Sequence, residues 1–213
     1  MTPAELQAVG LSLAVATAAT LLDLPVALLL GTWFARRRTP MALVCEALVT
    51  VPLVLPPVVT GYGLLLVFGP RGLGWPIAFT PLAPVIASAI VALPLFVRAV
   101  RHGVEAVEPG LVDAARTLGA TPWQAWRRVV LPLALPAVIG GALLAFARAL
   151  GEFGATAVFA GSIAGRTRTV PLAIYGALQQ VDGDGTAWRL SLAAVVLSLL
   201  AAGLAEVAAR RRR

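Results

Sequence analysis

VGLSLAVATAATLLDLPVALLLGTWF, residues Val9 to Phe34, runs directly into Ala35 and the cluster Arg36-Arg37-Arg38. A bilayer's hydrocarbon core is crossed by about 20 helical residues, so this stretch is long enough to span one. It is too long for the apolar part of a signal peptide, and its basic cluster follows it instead of preceding it, so it reads as a retained span. Four more apolar stretches follow, at about Leu43 to Phe68, Leu82 to Val100, Val129 to Phe159 and Leu190 to Ala209. Hydrophobic residues make up 59% of the 213, and only 13% are charged. A soluble domain of this size could not cover its surface with so few charges. The fold expected is an all-α membrane protein of five transmembrane helices.

Every one of the 17 basic residues is arginine, and the formal net charge is +7. Such a charge invites a nucleic-acid reading, but the arginines sit at the ends of apolar segments, where they orient a membrane protein. No nucleic-acid partner is expected. Twelve arginines fall on one side: Arg36 to Arg38, then Arg98, Arg101, Arg116, Arg127 and Arg128, then Arg210 to Arg213. Arg71, Arg166, Arg168 and Arg189 fall on the other, and Arg148 lies inside the fourth stretch. The bias sets the N-terminus outside and the C-terminus in the cytoplasm, a parity that five spans satisfy. Residues 162–187 carry Arg166, Arg168, Asp182 and Asp184, so they form an external loop with a short helix at Leu172 to Gln179. A second loop holds Gly69-Pro70-Arg71-Gly72 and Trp75-Pro76. Cys45 is the single cysteine and has no partner for a disulfide. His102, also single, reads as an interfacial side chain beside Arg101.

Prolines and glycines recur inside the spans: Pro25, Pro52, Pro56-Pro57, Pro94, Pro136, Gly140-Gly141 and Gly151. Proline frees backbone carbonyls and kinks a helix, which suits a moving pathway, although proline is also common in membrane helices at large. Pro52 with Pro56-Pro57 marks the strongest break.

Between the third and fourth spans lies a polar island, Asp113-Ala114-Ala115-Arg116-Thr117-Leu118-Gly119, followed by Val129-Val130-Leu131-Pro132. Pro109 after Glu108 opens a short helix, and Gly119 suits the position just past its end. Thr121-Pro122-Trp123-Gln124 then supplies an N-cap, a first-turn proline and the Gln of a capping box for a second helix. Trp123 and Trp126 suit the headgroup boundary. On local composition this could equally be an amphipathic surface helix without a partner.

The spacing of acidic-Ala-Ala, three residues, Gly, nine residues and aliphatic-x-Leu-Pro resembles the cytoplasmic EAA coupling loop of ATP-binding-cassette importer permeases. Asp113 stands where Glu is usual and Val129 where Ile is usual; charge and aliphatic character are kept. The likeness covers nearly the whole chain. Val51 to Tyr62 is similar to the second-helix signature of molybdate/tungstate permeases, Ala145 to Thr156 to both molybdate and sulfate permeases, and Arg168-Thr169-Val170-Pro171 with Ile174-Tyr175 leans toward molybdate. The resemblance implies a MetI-like ABC permease core, one transmembrane permease domain over residues 1–213 with a coupling loop at about 101–130. Asp113, Ala114, Ala115, Gly119, Leu131 and Pro132 would dock the ATPase. A route or gate would form where the second and fourth spans meet, from Pro56, Pro57, Thr60, Tyr62, Gly151, Gly154 and Thr156. Arg148 and Glu152 are four apart on one helix face, so they pair with each other or meet substrate. Asp23 would repel an anion; it pairs with an arginine or faces a wet crevice.

The expected function is the permease subunit of an ATP-driven molybdate or tungstate importer in a bacterial inner membrane, with sulfate or thiosulfate as the alternative cargo. There is no G-x-x-x-x-G-K-[ST], so the chain is not expected to hydrolyse ATP; ATP and magnesium belong to a partner ATPase dimer. No cofactor and no metal are expected on this chain. An extracytoplasmic oxyanion-binding protein, a second copy of the chain and the lipid bilayer complete the expected partners. A secondary transporter or channel fits five spans and a large docking loop poorly, and no inverted repeat is visible. A membrane-embedded enzyme would need a metal cluster, a nucleophile elbow or paired carboxylates in one span, and none is present.

Overall fold

The computed structural model describes residues 1–37, 39–70, 72–73, 75 and 77–210, with side chains through residue 203. The sequence expectations for Arg38, Arg71, Pro76 and Arg211 to Arg213, and for the side chain of Arg210, lie outside the described residues. All regular secondary structure among the described residues is helical. Helix α1 spans Pro3–Arg36, α2 Pro40–Val54, α3 Pro57–Phe68 and α4 Leu82–Glu105. Then come α5 (Pro109–Thr117), α6 (Pro122–Ala125), a π-helical turn (Trp126–Val130) and α7 (Leu131–Leu150). Helices α8 (Gly154–Phe159), α9 (Val170–Leu178) and α10 (Asp184–Arg210) complete it.

Four helical runs are long and apolar enough to cross a membrane, and the bent pair α2–α3 makes a possible fifth. The five-span expectation holds in that form, with corrections to the spans themselves. The first is longer than its hydropathy suggested: it starts at Pro3, where Thr2 and Glu5 form a capping box. The fifth starts at Asp184, not near Leu190. The second is not one continuous helix, because α2 and α3 meet at 111°. Two consecutive prolines explain the corner: Leu55 and Pro56 both take extended backbone, with ψ of 144° and 131°, since a following proline disfavours the α region and here does so at two residues in a row. The fourth stretch, expected to run to Phe159, ends at Leu150, and α8 is a separate short helix. By contrast Pro25, Pro52, Pro94 and Pro136 are all accommodated inside helices. The short helix expected at Leu172 to Gln179 is present as α9.

The core is built from α1, α4 and α7. Ala16, Ala19 and Ala27 of α1 pack with Ala92, Phe96 and Val100 of α4 and Ala145 and Ala149 of α7. Small side chains let backbones approach where lipid supplies no hydrophobic drive between helices. A second cluster joins Leu64 of α3, Ala87 and Val91 of α4, and Ala155 and Phe159 of α8. Helix α10 lies against α7 and α9. At one end of the bundle Arg189 pairs with Glu5, Nη2 to Oε1 at 2.6 Å, tying the starts of α1 and α10. At the other end Trp126 Nε1 donates to Thr32 Oγ1 at 3.3 Å, tying the loop after α4 to the end of α1.

Candidate coupling loop and translocation route

Helix α5 buries none of its residues. Its C-terminus closes in a Schellman motif: Ala120 N donates to Ala115 O at 3.1 Å, and Gly119 N to Arg116 O at 3.0 Å. That closure needs a left-handed residue, and Gly119 supplies it at φ 88°. Two residues later Thr121 Oγ1 accepts from Gln124 N at 3.3 Å, and Gln124 Oε1 accepts from Thr121 N at 2.9 Å. This is the capping box read from the sequence. Asp113, Ala114, Arg116 and Leu118 are exposed and Ala115 half-buried; Leu118, at 88% exposure, is an apolar residue standing in the open. Glu108 sits at the N-cap of α5, without a side-chain cap bond. The rings of Trp123 and Trp126 stack at 4.9 Å and 14°. The π-helical turn carries the loop into α7, so Leu131 and Pro132 open the span itself.

The second group of residues meets deeper in the bundle. Helix α3 packs on α8 through two glycines. A Cβ on Gly61 would lie 2.6 Å from Ala155 O, and one on Gly154 would lie 2.8 Å from Pro57 Cβ. Pro57, Gly61, Gly154 and Ala155 therefore form one contact between the two segments expected to meet. Pro56 and Pro57 start α3 and Gly151 ends α7. The hydroxyls of Thr60 and Thr156 are buried there without a hydrogen-bond partner among the described residues, whereas Tyr62 is exposed. Arg148 and Glu152 do pair, Nη1 to Oε2 at 2.8 Å. Glu152 is buried, and its Oε1 accepts from Ala155 N at 2.9 Å, so it also caps α8. Of the two readings open for this pair, the geometry favours the structural one. Asp23 is buried, its Oδ2 lacks a hydrogen-bond partner, and no arginine pairs with it among the described residues.

Two features escaped sequence reasoning. Glu46, in α2, pairs with Arg101 Nη1 of α4, and Arg101 Nε donates to Glu105 Oε1 at 2.9 Å. His102 Nδ1 lies 3.5 Å from Glu105, while its own side chain stays exposed. Glu5 with Arg189 is the other. In both cases the available signal was an acidic residue in or beside an apolar run, which demands a partner.

The chain matches the family model described as "Binding-protein-dependent transport system inner membrane component" over residues 27–213. It belongs to that family. Among its curated relatives is the "Molybdenum transport system permease protein ModB" of Haemophilus influenzae, 41% identical over 97% of this chain and 94% of the relative. The protein of the same name from Escherichia coli K12 is also 41% identical, over 100% of this chain and 97% of the relative. "Putative molybdenum transport system permease protein YvgM" of Bacillus subtilis is 40% identical over 90% and 88%. Among solved structures, an inward-facing MetNI methionine ABC transporter superposes with a TM-score of 0.77 at 21% identity, covering 99% and 98% of the two chains. An amino acid ABC transporter gives 0.70 at 24%, covering 99% and 94%. The permease therefore has the MetI-like fold.

Proposed function

We propose that this permease is the transmembrane subunit of an ATP-driven importer of molybdate or tungstate. The observation that carries the reading is end-to-end likeness, at 41% identity, to proteins named molybdenum transport permeases. Hydrolysis belongs to a separate cytoplasmic ATPase dimer that holds the ATP and magnesium, and α5 with Gly119 is its docking element. Support comes from a helix with no buried residue, an exposed Leu118 and a C-terminus closed by local hydrogen bonds at Gly119 and Ala120. Such a rigid lever can pass a push to α7 through the continuous π turn. Asp113, Ala114 and Ala115 present the docking surface; Leu131 and Pro132 carry the motion into the span.

The route runs beside the α3–α8 contact, at the axis between two copies of the chain. A dianion in transit needs donors that bind weakly enough to release it. The buried, unpartnered hydroxyls of Thr60 and Thr156 suit that role. Arg148 is neutralised by Glu152 and contributes structure, not a binding charge. An extracytoplasmic oxyanion-binding protein delivers cargo to the end marked by Arg168 and Arg189, with the N-terminus on that side.

Reconstituted uptake tests the reading. Vesicles containing the permease, its ATPase and a molybdate-binding protein should accumulate labelled molybdate only with ATP, and Gly119→Val should keep hydrolysis while losing uptake. Normal uptake by that variant removes α5 as the coupling element; uptake of sulfate in preference to molybdate reassigns the cargo. A cysteine at Thr2, in a background lacking Cys45, should react with an impermeant reagent from outside intact cells. Reaction only after permeabilisation overturns the orientation.

A further inference from the structure

A cavity of about 540 Å³ opens between the second half of α1 and the α6 turn of the loop. Three of the five tryptophans, Trp33, Trp123 and Trp126, line it. Pro25, Leu28 and Leu29 floor its deep end, Arg36 and Arg37 stand at its mouth, and no acidic side chain lines it among the described residues. Both arginines are exposed, and neither has an ion-pair partner among the described residues. Pro25 to Arg37 covers about 18 Å at 1.5 Å per helical residue. Half of a bilayer's hydrocarbon core is about 15 Å thick. The groove thus has the length of one leaflet, apolar at the depth of the acyl chains, aromatic at the headgroup level and cationic at the surface.

We propose that this groove binds one anionic phospholipid, an acyl chain lying along Leu28 and Leu29 and the phosphate held by Arg36 and Arg37. Charge complementarity selects this occupant. Two unpaired guanidiniums suit a phosphate diester in bidentate geometry, and they disfavour a zwitterionic lipid, which brings its own cation. Leu29 is 70% exposed, and Trp123 64%, so the surface available to the chain is real. The arrangement does not depend on the cargo or on the ATPase. It ties α1 to the turn that carries Trp123, beside the hydrogen bond from Trp126 to Thr32.

Tryptophan quenching by brominated lipid reads the site directly. Trp75 and Trp188 are exposed and away from the groove. The full chain with Trp75→Phe and Trp188→Phe therefore reports only on the three groove tryptophans. It is reconstituted in phosphatidylcholine vesicles doped with either dibromo-phosphatidylglycerol or dibromo-phosphatidylcholine. With two arginines facing the anionic headgroup, the glycerol lipid should half-saturate at a mole fraction about tenfold lower or more. Arg36→Gln with Arg37→Gln should bring the two lipids level, and Arg36→Lys with Arg37→Lys should preserve most of the preference. Equal quenching by both lipids in the unsubstituted-arginine chain overturns the proposal without recourse to any variant. So does a preference that survives the glutamine pair. Loss of quenching on adding millimolar glycerol phosphate also overturns it, since that would mark a site for the free anion and not for the lipid.

Discussion

The α5–α6 loop and the α3–α8 contact are made in opposite ways. The loop is closed by hydrogen bonds between residues three to five apart: Thr121 with Gln124, Ala120 with Ala115, Gly119 with Arg116. None of the side chains of α5 is buried, and Ala125 alone is buried in α6. The contact joins residues about 95 apart, Pro57 and Gly61 to Gly154 and Ala155, with backbone against backbone and no room for a methyl group. A region built from local bonds survives the loss of its neighbours. A region built from distant close packing fails as a unit, because each half leaves the other unsatisfied.

Four substitutions break or sharpen that contrast. The largest effect is expected at Glu152, which both neutralises Arg148 and caps α8. Glu152→Ala should lower stability by about 3 kcal/mol, since it leaves the half-buried Arg148 without its counter-charge and the buried Ala155 N–H without its acceptor. Denaturation in detergent measures it, and adding Arg148→Leu should return part of the loss. An additive double variant would show that the two side chains do not act on each other. Next, Gly154→Val forces a side chain against Pro57 and should cost about 2 kcal/mol by overpacking, lowering the melting temperature of the whole bundle. Gly119→Val comes third. A β-branched residue at φ 88° costs about 1–2 kcal/mol, but the loss should appear as faster proteolysis confined to residues 106–125. Gly119→Asn should be close to wild type. If Gly119→Val melts the bundle as Gly154→Val does, the loop is not the independent unit described. The smallest effect is Thr121→Ala, which removes one cap and costs about 1 kcal/mol, visible as faster amide exchange at Gln124 with no change in global melting.

What could be read in advance follows the same division. Thr121-Pro122-Trp123-Gln124 and Gly119 were legible because capping is a property of four or five adjacent residues. The corner at Leu55 and Pro56 was legible as a break, since two prolines act on their own backbone, but its 111° angle was not. The end of α7 at Leu150 was missed because Gly151-Glu152-Phe153 adds little polarity to an apolar run, and hydropathy carries no record of chain direction. Glu46 with Arg101 was missed because 55 residues separate them. Only the packing of α2 on α4 brings them together.

By itself the amino-acid order determined that this chain belongs in a bilayer, that most of its arginines flank the apolar runs and that a short polar stretch with its own capping signals interrupts the spans. These are consequences of transfer free energy, charge and local hydrogen bonding, which act over at most a turn or two of helix. Tertiary structure alone decided which glycines meet, which carboxylate each arginine finds, and that Trp33, Trp123 and Trp126 share one groove above Arg36 and Arg37. Those outcomes depend on how α1, α4 and α7 nest through their alanines, and close packing among distant segments has no signature in any single stretch of sequence.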